Sequence, residues 1–308
     1  YTNLPKKTFT KNNYKTQYQD FIKKYPIILS TTYSLRRSIP QNYLLDYVII
    51  DEASQVDLIT GVLAFSCCRN VIIVGDEKQL PQIVDAQIMP KLKAVAYAPS
   101  YDYFSHSILT SVESLYGGEL SREMLREHYR CHPQIIEFCN QKYYGGKLIS
   151  YTKDSNSESP LCVYRTAPGN HMRRVTQGDN TGRYNQREID VIIKEVIQHV
   201  NGVGENDDIG FVTPYRKQAD KAGEMLQGSV ESDTVHKYQG REKDVMIMST
   251  VLDSTRDGCI GIRFVDDPHM VNVAVSRAVK KFVLVTDNEL FFKKGKEIAD
   301  LIRYIQYN

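Results

Sequence analysis

The chain alternates between short continuous apolar runs and stretches in which apolar residues recur every three or four positions. Continuous runs of this length are typical of buried parallel strands, and the spacing of three and four is typical of amphipathic helices. The pattern predicts strands at 27–32, 47–52, 71–74, 161–165, 209–213, 229–233, 244–251 and 281–286. It predicts helices at 12–25, 56–66, 104–115, 133–143, 186–200, 214–227, 271–278 and 299–307, and loops at 151–160, 168–185 and 234–240. Such alternation indicates an α/β fold with parallel sheets.

Two of the predicted buried strands end in acidic residues. Residues 47–54 read Tyr-Val-Ile-Ile-Asp-Glu-Ala-Ser, so the first strand presents Asp51 and Glu52 at its carboxyl end. Residues 71–80 break at a glycine and present Asp76 and Gln79 at what should be the same sheet edge. Adjacent carboxylates suit nucleotide hydrolysis, in which one holds Mg²⁺ and the next polarises the attacking water. A solvated turn after each strand is the structural alternative, and the repeated pattern favours the functional one.

Three polar clusters in the second half contain groups that a hydrophobic core does not use. Arg130 precedes the helix that Pro133 begins, and the segment 234–242 places Gln239, Gly240 and Glu242 in one loop. Asn272, Ser276 and Arg277 recur at helical spacing, near one face. Each arginine could be an ordinary salt-bridge partner. Two arginines together with two carboxylates and a glutamine instead match the charge on a phosphoryl group in transfer, because guanidinium groups bind such oxygens bidentately.

Six motifs, in their order and spacing, resemble those of superfamily 1 helicases, in the branch of the nonsense-mediated-decay helicase and the related helicase–nucleases. They are Ile-Asp-Glu-Ala-Ser-Gln (50–55), Gly-Asp-Glu-Lys-Gln-Leu-Pro (75–81), Tyr-Arg-Cys-His-Pro (129–133), Thr-Pro-Tyr (213–215), Val-His-Lys-Tyr-Gln-Gly-Arg-Glu-Lys-Asp (235–244) and Asn-Val-Ala-Val-Ser-Arg-Ala (272–278). Six motifs in sequence are far more specific than any one of them. The resemblance runs from about residue 27 to about residue 287.

The resemblance implies two RecA-like domains of the P-loop NTPase type, with ATP and Mg²⁺ bound between them. Asp51 would be the Mg²⁺ ligand, Glu52 the residue that activates water and Gln79 the sensor of the γ-phosphate. Arg130 and Arg277 would be arginine fingers, and Glu242 would lie near the ribose. Asp76, Gln239 and Gly240 would line the nucleotide site. Positions that contact the sugar-phosphate backbone of a single strand of DNA or RNA in the family correspond here to Thr31, Thr213, Thr234 and His236.

The chain departs from the family at one motif. A P-loop needs Gly-x-x-x-x-Gly-Lys-Ser/Thr, because its amides and lysine hold the phosphates and its hydroxyl binds Mg²⁺. The sequence contains no Gly-Lys-Ser or Gly-Lys-Thr, and its first residue is Tyr. We therefore expect the P-loop to precede residue 1 in a longer protein, and we expect this segment by itself not to hydrolyse ATP.

The same reasoning predicts three regions. Residues 1–26 are a basic and aromatic N-terminal segment, interpreted as the remnant of an inserted subdomain. Residues 27–120 are the C-terminal part of a first RecA-like domain that is incomplete at its N-terminus, and residues 121–308 are the second. Residues 1–45 carry eight Lys or Arg against one Asp, interleaved with tyrosines, which suits phosphate neutralisation and base stacking. A solvated helical hairpin with its tyrosines packed inward is the alternative.

The amino-acid composition is consistent with this interpretation. The 308 residues are 42% apolar and 25% charged with a net charge of +2, so the protein is not a polycation. No apolar run is long enough to cross a bilayer, and residues 1–7 lack the apolar core of a secretory signal, so no membrane partner is expected. Six cysteines lack Cys-x-x-Cys spacing, which favours reduced thiols in a cytoplasmic, intracellular protein. A helicase-derived scaffold that binds nucleic acid or protein without hydrolysis is the rival function. It has no chemical need for all of Asp51, Glu52, Gln79, Arg130 and Arg277.

Overall fold

The structure is a computed structural model that describes residues 8–92, 97–153, 159–178, 181–199, 207–226 and 230–307. The chain divides into two compact units. Unit 1 comprises Tyr1–Glu77 and Pro81–Arg122, and unit 2 comprises Lys78–Leu80 and Glu123–Asn308. Three residues between the two parts of unit 1 therefore pack with unit 2.

Unit 1 contains a two-stranded sheet and short helices. Its strands are β1 (Leu45–Ile50) and β2 (Cys68–Ile73), and its helices are α1 (Tyr18–Lys24), α2 (Thr32–Ser38), α3 (Leu58–Phe65), α4 (Met89–Leu92) and α5 (Ile108–Tyr116). The two strands pair in parallel, with Ile50 opposite Ile73. Asp57 caps the start of α3, because its carboxylate accepts hydrogen bonds from the amides of Ile59 and Thr60. The predicted strand–helix–strand unit is confirmed.

The prediction that β1 and β2 are fully buried is wrong. Val48 and Ile50 face the core of unit 1, whereas Tyr47 is 62% exposed and Ile49 is 65% exposed. Side chains alternate between the two faces of a strand. In the part of unit 1 that the structure describes, only one face of this sheet is covered.

The strand predicted at 27–32 is also wrong. Ile27 and Leu29 are 80% and 94% exposed, and α2 begins at Thr32 with Thr31 as its N-cap. A strand is stable only when neighbouring backbone groups pair with it. Among the described residues of unit 1, the paired strands are β1 and β2, and the isolated bridge between Asp57 and Ser107 does not involve residues 27–32.

Unit 2 contains a larger parallel sheet and further strands outside this sheet. Its strands are β3 (Glu127–His128), β4 (Ile149–Ser150), β5 (Leu161–Arg165), β6 (Met172–Val175), β7 (Gly182–Asn185), β8 (Ile209–Thr213), β9 (Glu231–Thr234), β10 (Lys243–Ser249) and β11 (Ala278–Thr286). Its helices are α6 (Pro133–Tyr143), α7 (Gln186–Val191), α8 (Ile197–His199), α9 (Arg216–Leu226), α10 (Val235–Tyr238), α11 (Arg256–Ile260), α12 (Ile262–Val265), α13 (Pro268–Ser276), α14 (Asn288–Lys294) and α15 (Glu297–Tyr307). A π-helical segment, Ile192–Val196, connects α7 to α8.

The five central strands follow the order β5-β11-β10-β8-β9, and every neighbouring pair is parallel. Alternate residues of β10 supply two cores. Met246 and Met248 pack in one hydrophobic cluster, and Val245 and Ile247 pack in the other. Helices on both faces bury a parallel sheet in this way, which explains the continuous apolar runs in the sequence. The predicted α/β class with parallel sheets is confirmed.

Two predicted loops contain regular structure. Strands β6 and β7 pair antiparallel, with Met172 opposite Asn185, and we call this pair the β6–β7 hairpin; α10 lies inside the predicted loop 234–240. The hairpin was missed because its strands are polar and arginine-rich, so they lack an apolar alternation. By contrast, α6 begins at Pro133 as predicted, because proline at the first helical position has a preset φ and needs no amide partner.

The long helix predicted at 186–200 is confirmed as α7, the π-helical segment and α8; residue 200 lies outside the described residues, as do 227 and 229 at the ends of two other predicted elements. In the part of the chain that the structure describes, none of the helices has both the length and the apolar character needed to cross a membrane.

Candidate functional site

The predicted acidic site residues of unit 1 lie just beyond its two strands, with Asp51 and Glu52 directly after β1 and Asp76 three residues after β2. The ladder continues past the strands, because the Val74 amide donates to Ile50 O at 2.8 Å and the Ala53 amide donates to Val74 O at 2.9 Å. Asp51 is exposed, and one of its carboxylate oxygens accepts from the Glu52 amide at 2.9 Å. Glu52 has a left-handed backbone, with φ of 51°, at the point where the strand turns into a 3₁₀ segment. A non-glycine residue in this region is strained.

Gly75 brings the end of β2 close to this turn. A Cβ atom at position 75 would lie 3.1 Å from the amide nitrogens of both Ala53 and Ser54. Only a residue without a side chain lets the two backbones approach so closely. The structure therefore brings Asp51, Glu52 and the following Asp76 to one edge of the unit 1 sheet.

Gln79 belongs to unit 2, where it meets Arg277. The Arg277 Nη2 atom donates to Gln79 Oε1 at 2.9 Å, and Arg277 is 4% exposed. Asn272 fixes the same segment, since its side-chain amide donates to Lys78 O at 2.8 Å. Leu80 is buried in the unit 2 core. Two residues of the predicted cluster 272–277 thus hold the segment that carries the predicted sensor glutamine.

Arg130 pairs with Glu242, with 2.5 Å between Arg130 Nε and Glu242 Oε2. Both side chains are about half exposed. The turn before Arg130 is fixed by His128, whose Nε2 accepts from the Cys131 amide at 2.9 Å. Burial and the neighbouring Arg130 charge lower the pKa of His128 to about 4, and burial raises the pKa of Cys131 to about 12. Both groups are therefore neutral near pH 7, and the charges at this site are those of Arg130 and Glu242.

A backbone hydrogen bond links the Arg277–Gln79 contact to the Arg130–Glu242 ion pair. Arg277 precedes β11, Glu242 precedes β10, and the Lys243 amide donates to Arg277 O at 3.1 Å. Gln239 and Gly240 form the turn between α10 and β10, where Gly240 has a φ of +80° that favours glycine. The predicted residues 239–242 and 277 therefore cluster at the amino ends of β10 and β11.

The predicted nucleic-acid contacts of unit 2 lie at the opposite end of the sheet. Thr213 ends β8 and faces Thr234, which ends β9. Both are buried, and the Thr234 hydroxyl accepts from Arg216 at 3.1 Å. His236 lies in α10 and is half-buried, which lowers its pKa. Thr31, the fourth predicted contact, is in unit 1, where its hydroxyl accepts from the Ser34 amide at 3.2 Å and caps α2.

Sequence reasoning missed two polar groups of unit 2. One is the contact of Arg183 on the β6–β7 hairpin with Tyr215, and the other is Glu188, which is fully buried at the carboxyl end of β10. The signal for Glu188 was an acid within the apolar stripe of the predicted helix 186–200. No local signal marks Arg183, because residues 168–185 are rich in Gly, Asn and Arg and predict a loop.

Comparisons with known proteins agree with the sequence motifs. A family model described as "AAA domain" matches residues 104–289, more than half of the chain, and a second model with this description matches residues 5–87. The mouse (Mus musculus) protein "DNA replication ATP-dependent helicase/nuclease DNA2" is 27% identical over 303 residues, which cover 87% of this chain and 27% of the mouse protein. "Helicase sen1" of Schizosaccharomyces pombe is 26% identical, with 93% of this chain and 18% of that protein covered.

Another relative is the Saccharomyces cerevisiae protein "DNA polymerase alpha-associated DNA helicase A", at 26% identity, with 96% of this chain and 47% of that protein covered. The chain thus spans less than half the length of each of these three relatives. Among solved structures, an Arterivirus nonstructural protein 10 (helicase) in complex with DNA matches with a TM-score of 0.42 and 14% identity, covering 82% of this chain and 43% of that chain.

Proposed function

Since the chain belongs to the superfamily 1 helicases, we propose that it is part of an ATP-dependent motor that moves on single-stranded DNA or RNA and unwinds duplexes. The observation that carries the proposal is the hydrogen bond between Arg277 and Gln79. It places an arginine that is charged at every physiological pH beside the side chain expected to sense the γ-phosphate. A scaffold that never meets a triphosphate has no chemical need for all of Asp51, Glu52, Gln79, Arg130 and Arg277.

The residues of unit 1 fit a hydrated Mg²⁺ ion. The described residues contain no group of three His, Cys, Asp or Glu side chains that could enclose a metal. Mg²⁺ bound to a nucleotide does not need one, because it keeps several waters and takes only one or two carboxylates together with phosphate oxygens. Asp51 is exposed at the strand end and is suited to that role. When bound, ATP with Mg²⁺ would supply the phosphoryl group for transfer.

The roles of the chain's own residues follow from charge and position. Glu52, held beside Asp51 by the strained turn, would accept a hydrogen bond from the attacking water and orient it. Gln79 would report the γ-phosphate to Arg277. Arg130 would stabilise charge on the transferred phosphoryl group. To do so, it would leave Glu242, which would then contact the ribose. Asp76, Gln239 and Gly240 complete the proposed nucleotide site, and Thr31, Thr213, Thr234 and His236 the proposed nucleic-acid contacts.

We expect the 308-residue chain to show no hydrolysis by itself, because positioning the β- and γ-phosphates supplies most of the catalysis in this reaction. The test is ATP hydrolysis by residues 1–308 with Mg²⁺ and single-stranded DNA or RNA. Turnover that is stimulated by nucleic acid and lost in Glu52→Gln would contradict the expected inactivity while supporting the assigned role of Glu52.

The ATP-driven activity is tested on the longer protein of which we propose that this chain is a part. There we expect stimulated hydrolysis that Glu52→Gln lowers by at least about a hundredfold, the usual contribution of a positioned general base. Asp46→Asn is the matched control, since Asp46 lies on the same strand and its side chain is 86% exposed. Equal rates in the wild type and Glu52→Gln would exclude the motor and favour the scaffold.

A further inference from the structure

The β6–β7 hairpin forms one wall of a cavity in unit 2. The cavity has a volume of about 380 Å³, and its polar lining consists of Arg174, Thr176, Thr181, Arg183 and Tyr215. Two guanidinium groups, two hydroxyls and one phenol are suited to an anionic ligand that also has a flat face. The volume lies within the range of small-ligand sites in proteins.

A row of rings continues from the cavity across the surface. The Arg183 guanidinium lies 5.7 Å from the centre of the Tyr215 ring, and its Nη1 donates to the Tyr215 hydroxyl at 3.2 Å. The Tyr215 and Phe264 ring centres are 5.5 Å apart, and those of Phe264 and His236 are 6.3 Å apart with planes within 9°. We refer to Arg183, Tyr215, Phe264 and His236 as the ring row. Phe264 is 44% exposed, so part of its ring is accessible to a ligand.

The charge of the hairpin is not neutralised within the described residues. Arg173, Arg174 and Arg183 lie on its strands, and no carboxylate of the described residues is within ion-pair distance of Arg174 or Arg183. The hairpin sequence contains one acid, Asp179, which is outside the described residues. Arg183 contacts the neutral phenol of Tyr215, so its positive charge stays available to bind an incoming phosphate.

The ring row lies at the carboxyl edge of the unit 2 sheet, where Tyr215 follows β8 and His236 follows β9. Burial lowers the pKa of His236, so its ring is neutral near pH 7 and can offer a flat uncharged face. Aromatic faces beside a basic groove are how proteins bind single strands without reading their sequence. A phosphorylated peptide would use the arginines but would have no need for a row of rings.

We propose that the hairpin cavity and the ring row bind a nucleotide unit of a single strand, with its phosphate on Arg174 and Arg183 and its base on Phe264. This inference rests on the proposed function, because it takes single-stranded nucleic acid as the partner. It adds Arg174, Arg183 and Phe264, which lie outside the six sequence motifs, to Tyr215 and His236, which lie within them. The same chemistry would also recognise a free mononucleotide, which the test separates from a strand.

The experiment measures binding of fluorescein-labelled 20-nucleotide dT and U strands to residues 1–308 by fluorescence anisotropy at several salt concentrations. Phe264→Ala should weaken binding about tenfold, the effect of losing one stacked base. Arg174→Ala should weaken it and should lower the slope of log K against log salt by about one, as one phosphate contact is lost. Both side chains are exposed, and circular dichroism confirms that each variant is folded.

The matched control is a second exposed pair of a phenylalanine and an arginine. Phe292 is 40% exposed, and the Arg303 guanidinium lies 5.6 Å from its ring centre on another part of unit 2. Phe292→Ala and Arg303→Ala should leave strand binding unchanged. Wild-type binding that is weakened equally by the two sets of substitutions would overturn the assignment of the site and would leave the proposed function intact.

Three further outcomes separate the hypotheses. If the wild type binds no strand, the nucleic-acid part of the proposed function fails together with this site. If dTMP or UMP binds and requires Arg174 and Phe264 while the strands do not, the cavity is a mononucleotide site and the strand proposal is overturned. Binding of a phosphoserine peptide that requires Arg174 but not Phe264 would likewise overturn it.

Discussion

Glu188 shows how one buried carboxyl group can hold a strained turn. It is fully buried, and its side chain accepts from the Val251 amide at 2.9 Å and from the Thr250 hydroxyl at 3.2 Å. The Ser249 hydroxyl makes a further short contact with it. Val251 has a φ of 72°, which is unfavourable for a β-branched residue. The three hydrogen bonds therefore stabilise a backbone conformation that the sequence by itself disfavours.

Burial raises the pKa of Glu188 to about 8, above its ordinary value of 4.5. Between these two values the folded state binds more protons than the unfolded state. The stability contributed by this group is therefore fully present below about pH 4.5 and is lost as the pH rises through about 8. Glu188→Gln keeps the shape and the acceptor oxygen but does not titrate. We expect the wild type to lose stability relative to Glu188→Gln between pH 5 and 9, measured by urea unfolding.

Glu224→Gln is the control for this prediction, because it removes an exposed carboxylate from α9. It should leave the pH dependence of the wild type unchanged. A constant difference between the wild type and Glu188→Gln across the whole range would show that folding does not raise the pKa of Glu188.

At the scale of elements, α15 is joined to α6 by a partly buried ion pair. Lys142 lies 3.2 Å from Glu297 and also contacts Asp300, and the side chains of Lys142 and Glu297 are 17% and 8% exposed. Removing Lys142 leaves Glu297 with the Tyr143 hydroxyl at 3.3 Å and with the amine of Lys296 at 3.7 Å, whose charge is screened by solvent because its side chain is 82% exposed. A nearly buried carboxylate without its cation is costly.

Lys142→Met should therefore destabilise unit 2 by about 3 kcal/mol, measured by urea unfolding. Arg303→Met is the comparison on the same helix. Arg303 pairs with Asp300 at 2.8 Å but is 52% exposed, so its loss should cost about 0.5 kcal/mol or less. Similar losses for the two substitutions would mean that burial does not strengthen the Lys142 contact.

At the scale of the whole molecule, the chain leaves unit 1 for three residues and then returns. Leu80 is 3% exposed in the unit 2 core, although Glu77 and Pro81 on either side of Lys78–Leu80 belong to unit 1. The cooperative unit to which a residue belongs is decided by its packing and not by its position in the sequence. Leu80 should therefore stabilise strands that lie far from it along the chain.

We expect Leu80→Ala to destabilise unit 2 by about 3 kcal/mol, the usual cost of deleting a buried leucine side chain. Native-state hydrogen exchange of amides in β10 would show the loss, while amides in β1 would keep their protection. Ile83→Ala is the control, because Ile83 lies three residues away and is 77% exposed. Loss of protection confined to β1 would place Leu80 in the other unit.

Much of unit 2 follows from local sequence. Phe211 and Val212 face opposite sides of a sheet that is covered on both, so their continuous apolar run could be identified without a structure. Two stretches differ from their predictions. The apolar run at 27–32 predicts a strand, but no strand of the described residues pairs with it. In unit 2, the polar composition of β6 and β7 conceals a pair of strands. The cytoplasmic location stays a prediction from the cysteine pattern.

The sequence by itself determined the family, the α/β class and the polar residues at strand ends, because motif spacing and apolar periodicity are properties of neighbouring residues. Tertiary structure decided that Gln79 meets Arg277, that Arg183 meets Tyr215 and that Glu188 is buried beneath Val251. These contacts join residues 198, 32 and 63 positions apart. No local sequence pattern predicts such a contact, because the contact depends on how the intervening strands and helices pack.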